Sequence, residues 1–268
     1  MWLALVKKEW QESTFRFLVC LALLTIVYVF IYTMMATATP LVVFIGVVVV
    51  LLHVFYLFLT LLASLIKEWK EHTSHLWMNL PVPGWKLLSA KVAIGFSQFM
   101  ILIIYGMVAV DIMLQKLINL SFAGSGIDYT ESLNIGLNLY RELSPWIVLM
   151  ISQGALQLGL AALFIFVFSK VIRPFGWLIA IIITFAANHL LSAVKNTEGY
   201  QTITQWVPLL DGQQVHEKVA IHLLQPVEAE LNEQIIQTIY LGQVVAEVLF
   251  ILVVFWMITW LFDQKAEL

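Results

Sequence analysis

The chain has 268 residues, 61% of them hydrophobic and 12% charged, with a formal net charge of −3 and a mean hydropathy of +0.92. A soluble domain carries about 45–50% apolar and about 25% charged residues, so this much apolar surface asks for lipid as its solvent. The charge balance offers no basic surface for nucleic acid. A lone cysteine, Cys20, allows neither an internal disulfide nor a multi-cysteine metal framework.

In chain order, residues 2–16 set Leu3, Val6 and Trp10 on one helical face, with Lys7, Lys8, Glu12 and Arg16 largely elsewhere. That pattern predicts an amphipathic helix over residues 1–16 lying in a membrane interface. The alternative is a short cytoplasmic extension of the first span. A spanning helix needs about 20 apolar residues to cross about 30 Å of hydrocarbon. Six runs qualify: Phe17–Met35, Leu41–Ile66, Val92–Val110, Trp146–Phe168, Phe175–Leu191 and Leu241–Phe262. The first reads as a retained anchor, because no small-x-small cleavage site follows it. The fold class is therefore an all-α integral membrane protein, with residues 17–268 forming one six-helix domain.

Polar residues inside these runs are candidates for function, because ionisable groups at membrane depth normally face protein or water. Glu247 lies about two turns into the last span, and Gln243 is one turn earlier on the same face. Its readings are a cavity-lining group, a pair across a dimer, or a hydrogen-bonded acid near the outer interface. Gln153 and Gln157 share a face of the fourth span beside Gly154 and Ala161, where small residues and amides commonly serve helix packing. These four are the candidate pathway or interface residues. His53 in the second span reads as a hydrogen-bonded packing residue. Asn188 and His189 end the fifth span, and Asp111 reaches the outer headgroups.

Lysine and arginine set the orientation. With the N-terminus inside, the inner segments hold 10 of them: Lys7, Lys8, Arg16, Lys67, Lys70, Lys86, Lys91, Lys170, Arg173 and Lys265. The outer segments hold 4: Lys116, Arg141, Lys195 and Lys218. Both termini are thus expected in the cytoplasm of a multi-pass cell-membrane protein. The first outer turn, Thr37–Pro40, is tiny. The outer loop 115–145 contains Gly124–Gly126, then a short helix over Tyr129–Leu143. The inner turn Ser169–Pro174 is tight. The outer segment 192–240 is the longest, and Glu228, Glu230 and Glu233 are spaced as on a solvated helix.

The inner loop 67–91 is dense in charge and tryptophan. A charged segment leaves the second span, Leu76 and Leu80 share a short helical face, Pro81-Val-Pro-Gly84 interrupts it, and a second amphipathic piece enters the third span. Glu68, Thr73, Leu76, Leu80, Pro81, Val82 and Lys91 fall in the order and spacing of the loop after the second span in permease subunits of ABC-2-type transporters, which the chain resembles. His72 stands where that family usually has a glycine. The resemblance implies that this loop is a coupling helix seated on a separate cytoplasmic ABC ATPase, with Glu68, Glu71, Thr73, Leu76, Trp77, Leu80, Pro81 and Lys91 as its coupling residues. It also implies a second permease subunit, identical or homologous, alongside membrane lipid, and exporter function toward a lipid, drug, antimicrobial peptide or envelope component. The rival reading is a non-transporting scaffold or sensor.

No Gly-x-x-x-x-Gly-Lys-Ser/Thr phosphate loop occurs, so ATP hydrolysis is expected in a partner chain, and neither catalytic residues nor a cofactor are expected here. His216-Glu217 with His222 lacks the i, i+4 histidine spacing of a zinc protease, since six residues advance about 600°. His72 and His75, set among lysines, read as solvated surface rather than metal ligands. Gly124-Ser125-Gly126 reads as a flexible turn rather than a nucleophile elbow.

Overall fold

A computed structural model describes residues 1–35, 42–71, 82–120, 130–172, 174–215 and 238–265. With no water in hydrocarbon to satisfy N–H and C=O groups, each apolar run forms helix, the conformation that pairs its own backbone. In chain order these are α1 (Trp2–Met34), α2 (Val42–Leu52), a single 3₁₀ turn (His53–Phe55), α3 (Tyr56–Lys70), α4 (Gly84–Leu120), α5 (Thr130–Val171), α6 (Gly176–Lys195), the short α7 (Glu198–Thr204), β1 (Pro208–Leu210), β2 (Ile239–Tyr240) and α8 (Leu241–Lys265). Among the described residues, six helical segments are long and apolar enough to cross a membrane, with α2, the 3₁₀ turn and α3 counting as one. The molecule is a multi-pass helical membrane protein.

Three elements differ from their sequence outlines. Residues 2–16 and the first span form one uninterrupted helix of 33 residues, with no break near Arg16. The segment 115–145 is mostly helical: α4 runs on to Leu120, and α5 is a single helix of 42 residues that passes through Pro145. Proline normally breaks a helix by removing a donor. Here the stretch before it is pinned to α4 from the side. The Tyr140 hydroxyl donates to the Met107 carbonyl at 2.8 Å, and Arg141 makes a forked contact with Asp111 at 2.7 and 3.0 Å. The fifth span runs four residues past Leu191, to Lys195. The tight turn after α5 is present: the Gly176 amide donates to the Ile172 carbonyl at 3.1 Å.

α4 is the central helix. Leu88, Phe99, Leu102, Ile103, Val110 and Met113 are buried along it. α3 presents Leu57, Leu61 and Leu65, an i, i+4, i+8 stripe, all at most 2% exposed. Glycines on two neighbours admit that stripe: a Cβ on Gly95 of α4 would come within 2.8 Å of Leu57, and one on Gly159 of α5 within 2.9 Å. The start of α1 and the end of α8 lie at one end of the bundle, here the terminal end. The Gly84 amide donates to Asp263 Oδ1 at 2.7 Å, and Trp2 Nε1 donates to Ser89 Oγ at 3.1 Å. At the far end β1 and β2 pair antiparallel, with Pro208 opposite Tyr240.

Candidate functional site

α3 leaves the bundle at Glu68 and α4 returns to it through Lys91, so the residues flanking the loop between them meet at the terminal end. Lys91 Nζ lies 2.8 Å from Glu68 Oε2 and 2.7 Å from Glu9 Oε1, and donates to Ser64 Oγ at 3.0 Å. Lys8 extends the cluster, 3.5 Å from Glu68 Oε1 and 3.5 Å from Glu12. Lys91 and Glu68 are 4% and 3% exposed, burial that a charge tolerates only with partners around it. α1, α3 and α4 are thereby tied together by one lysine.

A polar seam continues from this cluster toward the middle of the bundle. Gln98 of α4, 1% exposed, donates Nε2 to Ser13 Oγ at 2.7 Å and accepts from the Tyr56 hydroxyl at 3.3 Å. Between the three helices is a cavity of about 20 Å³, lined by Ser13, Arg16, Thr60, Ser64, Lys91 and Gln98 among others, with room for one water.

At the far end Glu247 of α8 pairs with Lys195 at the end of α6 and accepts from Gln157 Nε2 of α5 at 3.1 Å. Both of these contacts are made within the chain. Gln243 turns away from it, accepting from the Tyr240 amide at 3.4 Å at the start of α8. Gln153 is half-buried in α5. His53 is the hydrogen-bonded packing residue that its context suggested: its Nδ1 meets the Val49 carbonyl at 2.7 Å.

Of the eight residues that the resemblance marks for coupling, Glu68 and Lys91 come together inside the protein. Glu71 is exposed at the end of α3, 3.9 Å from Lys67. Thr73, Leu76, Trp77, Leu80 and Pro81 lie outside the described residues, as do His72, His75, Thr37–Pro40, Gly124–Gly126, His216 and Glu228–Glu233. Sequence reasoning passed over Glu9, Ser13, Gln98 and Lys195. Gln98 and Lys195 had a legible signal, one an amide inside an apolar run and the other an isolated cation just past one. Glu9 had none, since acids on a charged helical segment are ordinary.

The carboxylates of Glu9, Glu12 and Glu68 approach within 4.8 Å of one another, the spacing of a hard-cation site. Two ammonium groups, Lys8 and Lys91, already sit against these three carboxylates, so the group is an ion network. What the fold defines is the class of multi-pass helical membrane proteins. No protein-family model, curated protein or solved structure matches the chain.

Proposed function

We propose that this chain is the permease subunit of an ATP-driven exporter, working with a second permease subunit and with separate cytoplasmic ABC ATPases. The supporting observation is the loop between α3 and α4. Its residues follow the order seen in ABC-2-type permeases, and its two flanks are locked together by Glu68 and Lys91 at the end of the bundle that holds both termini. A loop on such a base transmits a push into the helices instead of flexing alone. With Glu68 and Lys91 buried, contact with a motor falls to the residues between them: Glu71, Thr73, Leu76, Trp77, Leu80 and Pro81. Gln153, Gln157, Gln243 and Glu247 would then shape the path or the seam between permeases at membrane depth. The reading assigns ATP hydrolysis to a separate motor, in keeping with these 268 residues having no phosphate loop.

The test is affinity purification of the tagged chain from its native membrane in mild detergent. An ATPase should accompany the wild type and be lost on Leu76→Asp or Trp77→Ala, with the variants still inserted. A chain that purifies without any ATPase supports the scaffold or sensor reading.

A further inference from the structure

The inner half of α3 has two unlike sides. Toward α5 it is dry: Leu57 and Leu61 lie against Gly159, and Ala162 and Leu163 of that helix are wholly buried. Toward α1 and α4 it carries polar groups over just more than three turns, from Glu68 and Ser64 to Thr60 and Tyr56, with Leu61, Ile94 and Gly95 lining the cavity among them. Facing these are Glu9, Ser13 and Arg16 of α1 with Lys91 and Gln98 of α4. Thr60 and Gln98 fall within the apolar runs 41–66 and 92–110, so the seam reaches membrane depth. Ionisable groups in spanning helices normally face protein or water, and Glu9, Arg16, Glu68 and Lys91 are the ionisable groups along this seam. A cavity is already present there. The seam also has a means of parting. α3 is separated from α2 by the 3₁₀ turn at His53–Phe55, a local break of the kind that hinges use. At the other end of α3, the Glu68–Lys91–Glu9 cluster holds the seam shut.

We propose that the seam between α1, α3 and α4 is a gated polar route entered from the terminal end, with the Glu9–Lys91–Glu68 cluster as its gate. It admits water and uncharged or zwitterionic hydrogen-bonding groups. That class follows from the lining: Glu9, Glu12 and Glu68 are offset by Lys8, Arg16 and Lys91, so no net charge favours an anion or a cation. The route goes beyond the exporter reading and needs no motor.

The experiment uses the full chain in lipid nanodiscs, where both faces meet the reagent. Cys20, which is exposed, is first replaced by Cys20→Ser. Single cysteines are placed at Ile94→Cys and Gln98→Cys, one and two turns beyond Lys91, and at Ala162→Cys on the dry side. Labelling by an uncharged, hydroxyl-bearing methanethiosulfonate, and by its cationic and anionic counterparts, is timed with and without Glu68→Gln, a near-isosteric change that removes the carboxylate from the gate. Both seam positions should label with the uncharged reagent at least about tenfold faster in the Glu68→Gln background, with the Ala162→Cys rate unchanged and with both charged reagents reacting more slowly than the uncharged one. Lys91→Met serves as the second gate variant and should act in the same direction. Seam cysteines that stay protected in both variants would overturn the route. Equal acceleration at Ala162→Cys would overturn it too, by showing general loosening. Charged reagents that label as fast as the uncharged one would overturn the assigned ligand class.

Discussion

Two lysine–glutamate contacts sit at opposite ends of the bundle, and they do different work. At the terminal end the Lys91 side chain is 2% exposed and meets Glu9 and Glu68 from two other helices. At the far end Lys195 is 31% exposed and meets a single acid, Glu247. The first braces three helices around the base of a loop, so its loss leaves two acids without their shared cation in a largely buried place. The second clips the end of α6 to the start of α8, and the long lysine stem can carry its ammonium toward headgroups when released. The pairing chemistry is common to both, and burial decides how much each is worth.

The largest expected effect is therefore at Lys91. Lys91→Met leaves Glu9 and Glu68 buried without their shared cation, at a cost of about 3–5 kcal/mol, read as a fall in thermal midpoint in detergent. Adding Glu9→Gln and Glu68→Gln should recover much of that loss, because the uncompensated charge goes with them. If the triple variant is no better than the single one, Lys91 matters through its packing and not through its charge.

A middle-sized effect is expected at the far end. Lys195→Ala removes a charge-assisted contact and leaves Gln157 as the remaining side-chain partner described for Glu247, costing about 1.5–3 kcal/mol. Glu247→Gln in the same background should restore part of it. A loss as large as that at Lys91 would erase the contrast between the two ends.

Next comes Gly159→Val, which drives side-chain atoms into Leu57 and should cost about 1–3 kcal/mol through overpacking. It tests the dry side of α3. The smallest effect is expected for Asp111→Asn. Its contact with Arg141 is solvent-facing, and such pairs contribute little, so the thermal midpoint should barely move at moderate salt.

The six spans were legible because a run of about 20 apolar residues has few other destinations. The continuity of α5 was not, since Pro145 is a local stop signal, and the packing on α4 that accompanies the helix through it, such as the Tyr140 hydroxyl on the Met107 carbonyl, is made between helices. In the candidate site, Glu68, Lys91 and Glu247 were singled out, but their partners were not. Glu9 lies 82 positions from Lys91, and Lys195 lies 52 from Glu247. Helical periodicity orders residues along one helix and carries no information about which residue of another helix they meet. Glu68 illustrates the consequence: a charged residue in a charged loop reads as surface, and the return of α4 alongside α3 encloses it.

The most direct test of the account concerns the side of the membrane on which the loop between α3 and α4 lies. With Cys20→Ser removing the native thiol, His75→Cys is exposed to a membrane-impermeant maleimide in intact cells and again after permeabilisation. The expected result is no labelling until the cells are opened, which leaves the loop where an ATPase can reach it. Labelling in intact cells would contradict the account.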